Sequence, residues 1–171
     1  MQTIDQLVDV PAAGFPAWSP DGRTLAYLHD TPGAGWIPTA LDLATGSTRR
    51  LSARAVMGSR PVWSPDGSML AAVRGNAEGG SDIWLLPADG AGDERKLAGG
   101  AFETRSPSFS PDGQHVSFIC GQAGALDVWV VDVSGGDPNP LTENTNPLDE
   151  PRWTPRWSPD GQWISYLSSR S

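Results

Sequence analysis

With 20 acidic against 12 basic residues in 171, the chain carries a net charge of −8 and lacks the basic surface that nucleic acids and anionic membranes require. The lone Cys120 excludes an internal disulfide, and no apolar run reaches membrane-spanning length. Glycine (20) and proline (16) are abundant, but eight tryptophans and regular apolar runs point to many turns in a packed protein rather than to disorder.

Met1 is followed by neither a basic start nor an apolar core, so no signal peptide is read and a cytoplasmic location is expected. The first element in chain order is Gln2–Val10, read as a strand. The pentapeptide W-S-P-D-G then stands at Trp18–Gly22, returns at Trp63–Gly67 and Trp157–Gly161, and occurs as F-S-P-D-G at Phe109–Gly113. The spacings of 45, 46 and 48 residues identify a repeat architecture with one supersecondary unit per repeat. Each motif reads as a hairpin turn. Proline presets the first central φ, aspartate (Asp21, Asp66, Asp112, Asp160) bonds nearby amides, and glycine (Gly22, Gly67, Gly113, Gly161) takes the left-handed conformation. The aromatic before each turn ends one strand and is expected to pack between units.

Second strands follow at Thr24–Leu28, Met69–Val73, His115–Ile119 and Trp163–Leu167. Third strands are read at Ser81–Pro87 and Leu126–Val133, ending in turns at Gly90 and at Gly135-Gly136. Fourth strands carry Leu51, Leu97 and Leu141. Four short strands per roughly 46-residue unit make a β-propeller blade, so the fold class is all-β, built of four-stranded antiparallel blades. The expected blades span about 12–55, 56–101 and 102–146, with a partial blade at 147–171. Aligning Gly46 with Gly90 and Gly135 puts Ala40 and Pro38 where later repeats have tryptophan and aspartate. The third strand of the first blade is therefore expected to be shorter or irregular. Gln2–Val10 is an orphan outer strand of the kind that lets two termini share a blade. Three blades and a part are few for a ring, so the pattern predicts an N-terminal piece of a longer protein. The alternative is a chain that closes its ring by oligomerising through open blade edges.

Enzyme chemistry finds no foothold. There is no G-x-S-x-G, and the two histidines, His29 ending a second strand and His115 beginning one, occupy unlike places. No paired cysteines, H-E-x-x-H or calcium-loop spacing occurs, so neither a metal site nor a cofactor is expected. Asp82 and Asp127 each precede a tryptophan, Trp84 or Trp129, by two residues and share a strand face with it. Blade packing with a partnered carboxylate is the reading favoured over a ligand-facing acid. The irregular connection Glu143–Trp153 lengthens the last spacing. Loops of this kind often carry binding function on rigid scaffolds, but an ordinary surface insertion is the favoured reading here; Glu150, Arg152 and Trp153 are the candidate binding residues if the loop binds a ligand.

The four [WF]-S-P-D-G hairpins, with the strands I-W-L-L-P-A-D-G and V-W-V-V-D-V-S-G-G, resemble the WD-repeat-like blades of the TolB family. Similar blades form the N-terminal propeller of prolyl-oligopeptidase-type serine peptidases, and the run R-W-S-P-D-G-Q-W-I-S-Y-L-S-S-R-S looks more like these. The peptidase resemblance implies a non-catalytic propeller that caps a separate hydrolase domain and gates entry of small peptides. The TolB resemblance implies a protein-binding platform. Either way the expected partner is a peptide or protein, and no catalytic residue carries over.

Overall fold

Short alternating strands, each followed by a tight turn, pair with their neighbours in chain order. The computed structural model describes residues 13–57, 59–121, 126–143 and 154–168. The first sheet consists of β1 (Ala13–Trp18), β2 (Thr24–Thr31), β3 (Gly35–Asp42) and β4 (Thr48–Arg50). The second consists of β5 (Val62–Trp63), β6 (Met69–Gly75), β7 (Ser81–Pro87) and β8 (Arg95–Gly99). The third consists of β9 (Thr104–Phe109), β10 (His115–Cys120), β11 (Asp127–Asp132) and β12 (Asn139–Pro140). Then come β13 (Arg156–Trp157) and β14 (Ile164–Ser165), a two-stranded sheet. All pairings are antiparallel between consecutive strands, which is the meander of a propeller blade. The expected orphan strand Gln2–Val10 lies outside the described residues.

Period-two alternation buries both faces of the second sheet. Leu70, Ala72, Trp84 and Leu86 face the first sheet and meet Ala26, Leu28, Ala40, Leu51 and Val56. Ala71, Val73, Ile83 and Leu85 face the third and meet Val116, Phe118, Trp129 and Val131. The core is thus a series of apolar layers between stacked sheets. The first strand of each sheet runs beside the first strand of the next, β1 by β5, β5 by β9 and β9 by β13. These inner strands end in the motif aromatics. Trp63 Nε1 donates to the carbonyl of Ala17 (2.9 Å), and Trp157 Nε1 to that of Ser108 (3.1 Å), tying successive inner strands together.

The first blade corrects one expectation. Its third strand, β3, is eight residues long and pairs with β2 continuously from Thr24↔Asp42 to Thr31↔Gly35. The residue in the tryptophan place is Thr39, opposite Tyr27, as Trp84 lies opposite Ala72 and Trp129 opposite Phe118. Ile37 takes the aspartate place. The glycine alignment slips by one because the β3–β4 turn is one residue longer. Gly46 bonds back to Asp42, whereas Gly90 bonds to Pro87 and Gly135 to Asp132. Pro38 sits inside β3 at no cost to the β2 ladder, since its nitrogen and carbonyl point toward the outer strand, where the carbonyl accepts from Leu51 N–H (2.8 Å). His29 also differs from expectation: it lies within β2, which continues to Thr31.

In the last repeat only Ile164–Ser165 of the expected Trp163–Leu167 pairs as a strand. In the first two interfaces a third strand fills the space between sheets, with Trp84 and Leu86 or with Trp129 and Val131. The two-stranded sheet has no such strand among the described residues. A cavity of about 770 Å³ remains there, lined in part by Val128, Val130, Leu141, Ile164 and Tyr166.

Candidate functional site

The four S-P-D-G turns share one geometry. Gly22, Gly67, Gly113 and Gly161 have φ of 69°, 73°, 73° and 72°, and each glycine N–H donates to the carbonyl of its motif serine at 2.9 Å. The serine hydroxyl donates to the motif aspartate at 2.6 Å for Ser19–Asp21 and 2.5 Å for Ser64–Asp66, Ser110–Asp112 and Ser158–Asp160. The same carboxylate oxygen accepts the backbone N–H two residues on, and the serine Oγ accepts the N–H five residues on. Turns of successive blades also meet, because a Cβ at Gly67, Gly113 or Gly161 would lie 3.5–3.7 Å from Pro20, Pro65 or Pro111 respectively.

These hydrogen bonds, that of the serine hydroxyl foremost, hold Asp21, Asp66, Asp112 and Asp160 below the ordinary carboxylate value of 3.8. A carboxylate with a depressed folded-state pKa stabilises the fold above its unfolded pKa, and that contribution is lost as pH falls through the folded value. Thermal midpoints are therefore expected to be flat above about pH 5 and to fall as pH drops below about 4. The D66N/D112N double variant should start lower and fall less steeply. A wild-type midpoint that stays level from pH 5 to 3 would remove this account of the turns.

Asp82 accepts from Asn76 Nδ2 (2.9 Å) and pairs with Lys96 (2.9 Å), and Asp127 accepts from Thr142 Oγ1 (2.7 Å). Both are buried on the face toward the preceding sheet, which also carries the half-buried Trp84 and the buried Trp129, so each carboxylate is a packing group with partners. Arg74 reinforces the interface between the first two sheets, donating to Glu94 (2.8 Å) and Ser52 Oγ (2.6 Å) with its guanidinium 4.8 Å from the Trp84 ring. Ser110, Asp112 and His115 share one turn but not the geometry of a catalytic set. Ser110 Oγ donates to Asp112 and accepts the His115 backbone N–H, while the imidazole lies 6.3 Å from the Trp157 ring. The candidate residues Glu150, Arg152 and Trp153 lie outside the described residues.

The inner strands bound a cleft of about 540 Å³ that the sequence pattern did not single out. Trp18, Arg60, Ser106, Ser108, Thr154 and Arg156 line it, one or two from each of the four repeats. Trp18 is 55% exposed, and both arginines are exposed. A signal for this region was present in the sequence. Proline stands two residues before every motif aromatic, at Pro16, Pro61, Pro107 and Pro155. Inner strands are sheet edges, where a missing N–H is tolerated and discourages further pairing. Beside these prolines β1 and β9 carry bulges, with Phe15 and Ser106 at φ 56° and 55°. β5 and β13 begin only after Pro61 and Pro155, leaving Arg60 ahead of β5 and Arg156 as the first residue of β13.

Comparison with known proteins follows the same lines. A Chlorobium luteolum TolB homologue is 33% identical over 121 residues, covering 71% of this chain and 27% of that protein. The chain thus spans about a quarter of the length of that relative. Among solved structures, TolB from Acinetobacter baumannii superposes with a TM-score of 0.68 at 22% identity, over 90% of this chain and 37% of that one. A puromycin-hydrolysing peptidase from Mycobacterium tuberculosis superposes with a TM-score of 0.70 at 22% identity, over 94% and 29%. These two likenesses are of fold. The model of the TolB beta propeller domain family matches residues 12–171, nearly the whole chain, and the chain belongs to that family.

Proposed function

We propose that this propeller is non-catalytic and binds a peptide or an extended protein segment at the cleft between its inner strands. The cleft itself carries the reading. It joins a half-exposed tryptophan, two exposed guanidinium groups and hydroxyl side chains on or beside the edge strands. Aromatic surface with scattered polar groups on a rigid scaffold is the chemistry that recognises peptides. Hydrogen exchange of the full chain, with and without a pooled library of extended pentapeptides, tests it. Protection is expected along β1, β5 and β9, and no protection, or protection confined to outer strands, would overturn the reading.

A narrower form places the propeller before a prolyl-oligopeptidase-type hydrolase domain, where it admits short peptides and excludes long ones. The fold shared with the Mycobacterium tuberculosis peptidase favours it. In this form too the chain by itself hydrolyses no peptide or ester above background, because Ser110 and His115 are not poised as nucleophile and base. Turnover abolished by substitution of either His29 or His115 would contradict the non-catalytic reading. Turnover indifferent to both would mark a contaminant.

A further inference from the structure

We infer that the inner-strand cleft is a carboxylate-binding subsite in which Arg60 and Arg156 receive an anionic group of an extended peptide. The inference rests on the peptide-binding reading and specifies its ligand. The chain is acidic overall, yet among the described residues no aspartate or glutamate lines this cleft. Two arginines do, contributed by repeats almost a hundred residues apart in sequence. Among the described residues neither arginine has a carboxylate partner, although Arg74 and Arg105 both do. Guanidinium groups that line one cleft can offer an entering anion charge-assisted, fork-shaped hydrogen bonds.

The surroundings fit a single carboxylate better than a polyanion. Ser106, Ser108 and Thr154 add hydroxyls that can complete its hydrogen bonding, and Trp18 offers an apolar face for the adjoining residue. Ser106 is held at a left-handed φ of 55°, a conformation that non-glycine residues keep where the surrounding structure demands it and that clusters at ligand sites. The net charge of −8 repels long anionic chains such as nucleic acid at a distance, whereas one carboxylate is steered by the local positive field once it nears the cleft.

The test uses the full chain and three fluorescein-labelled pentapeptide pools, read by fluorescence polarisation. The first pool has neutral side chains and a free C-terminal carboxylate. The second is amidated and carries one glutamate, and the third is amidated and neutral. At least one carboxylate pool is expected to bind about tenfold more tightly than the neutral pool, a preference that shrinks as salt rises. Comparing the first two pools tells a chain-terminal carboxylate from a side-chain one. The R60Q/R156Q variant should reduce the preferred pool to the level of the neutral pool, R60K/R156K should keep part of the preference, and R23Q, outside the cleft, should change nothing. If the neutral pool binds as tightly as the others, or if the preference survives R60Q/R156Q, the carboxylate subsite is overturned while peptide binding stands. If none of the three pools binds, both readings fall.

Discussion

Replacing Gly90 by valine is expected to lower the unfolding free energy by about 2–6 kcal/mol, a larger loss than at any glycine of the S-P-D-G turns. Gly90 ends the β7–β8 turn at φ 74°, which a β-branched residue resists. A Cβ there would also lie 2.4 Å from the carbonyl oxygen of Arg50, in the first sheet, so the substitution pushes two sheets apart. Gly67→Val is the internal ruler. Its φ is 73°, but the nearest atom to an added Cβ, on Pro20, is 3.7 Å away, so only conformational strain of about 1–3 kcal/mol is expected. Asp66→Ala should cost less, on the order of 1 kcal/mol, since its hydrogen bonds are local and solvent-accessible. Urea midpoints of the three variants decide the matter. Equal losses at Gly90 and Gly67 would sink the close-approach argument, and an unchanged midpoint for Gly67→Val would sink the left-handed turn.

The second large effect is on association. β14 is the edge of a two-stranded sheet, and the cavity of about 770 Å³ beside it opens onto Val128, Val130 and Ile164. Trp163 is 72% exposed and Leu167 63%, so among the described residues an edge strand and apolar surface occur together. An edge of this kind templates pairing with another chain. The purified chain is therefore expected to form oligomers or aggregates in light scattering at micromolar concentration. Ile164→Lys, which puts a charge on that edge, should shift it toward monomer. A stable, clean monomer of the unaltered chain would contradict this, and a discrete dimer lost in Ile164→Lys would favour ring completion across chains.

Legibility differed between parts of the molecule for physical reasons. The S-P-D-G turns and the following strands could be read directly, because turn chemistry and period-two burial are local properties. Ser81–Pro87 emerged with the bounds its apolar alternation suggested. The first blade misled, because the glycine used for alignment closes a longer loop there, and loop length is invisible without the pairing register. The cleft was not foreseen. Its local signal, the proline recurring before each aromatic, marks an edge strand but not the direction in which that edge faces.

The repeat in the sequence by itself determined an all-β protein of four-stranded blades, since the motif, its period and the strand alternation act within some 46 residues. What only the tertiary structure decided is which residues of different repeats meet. Asp82 and Asp127 became partnered packing groups because their strand faces press on the preceding sheet. Arg60 and Arg156, unremarkable in the sequence, came to line one cleft because stacking brings the first strand of each sheet beside the next. Such contacts are set by the geometry of the stacked sheets, and no residue carries a local signal of the neighbour it will have.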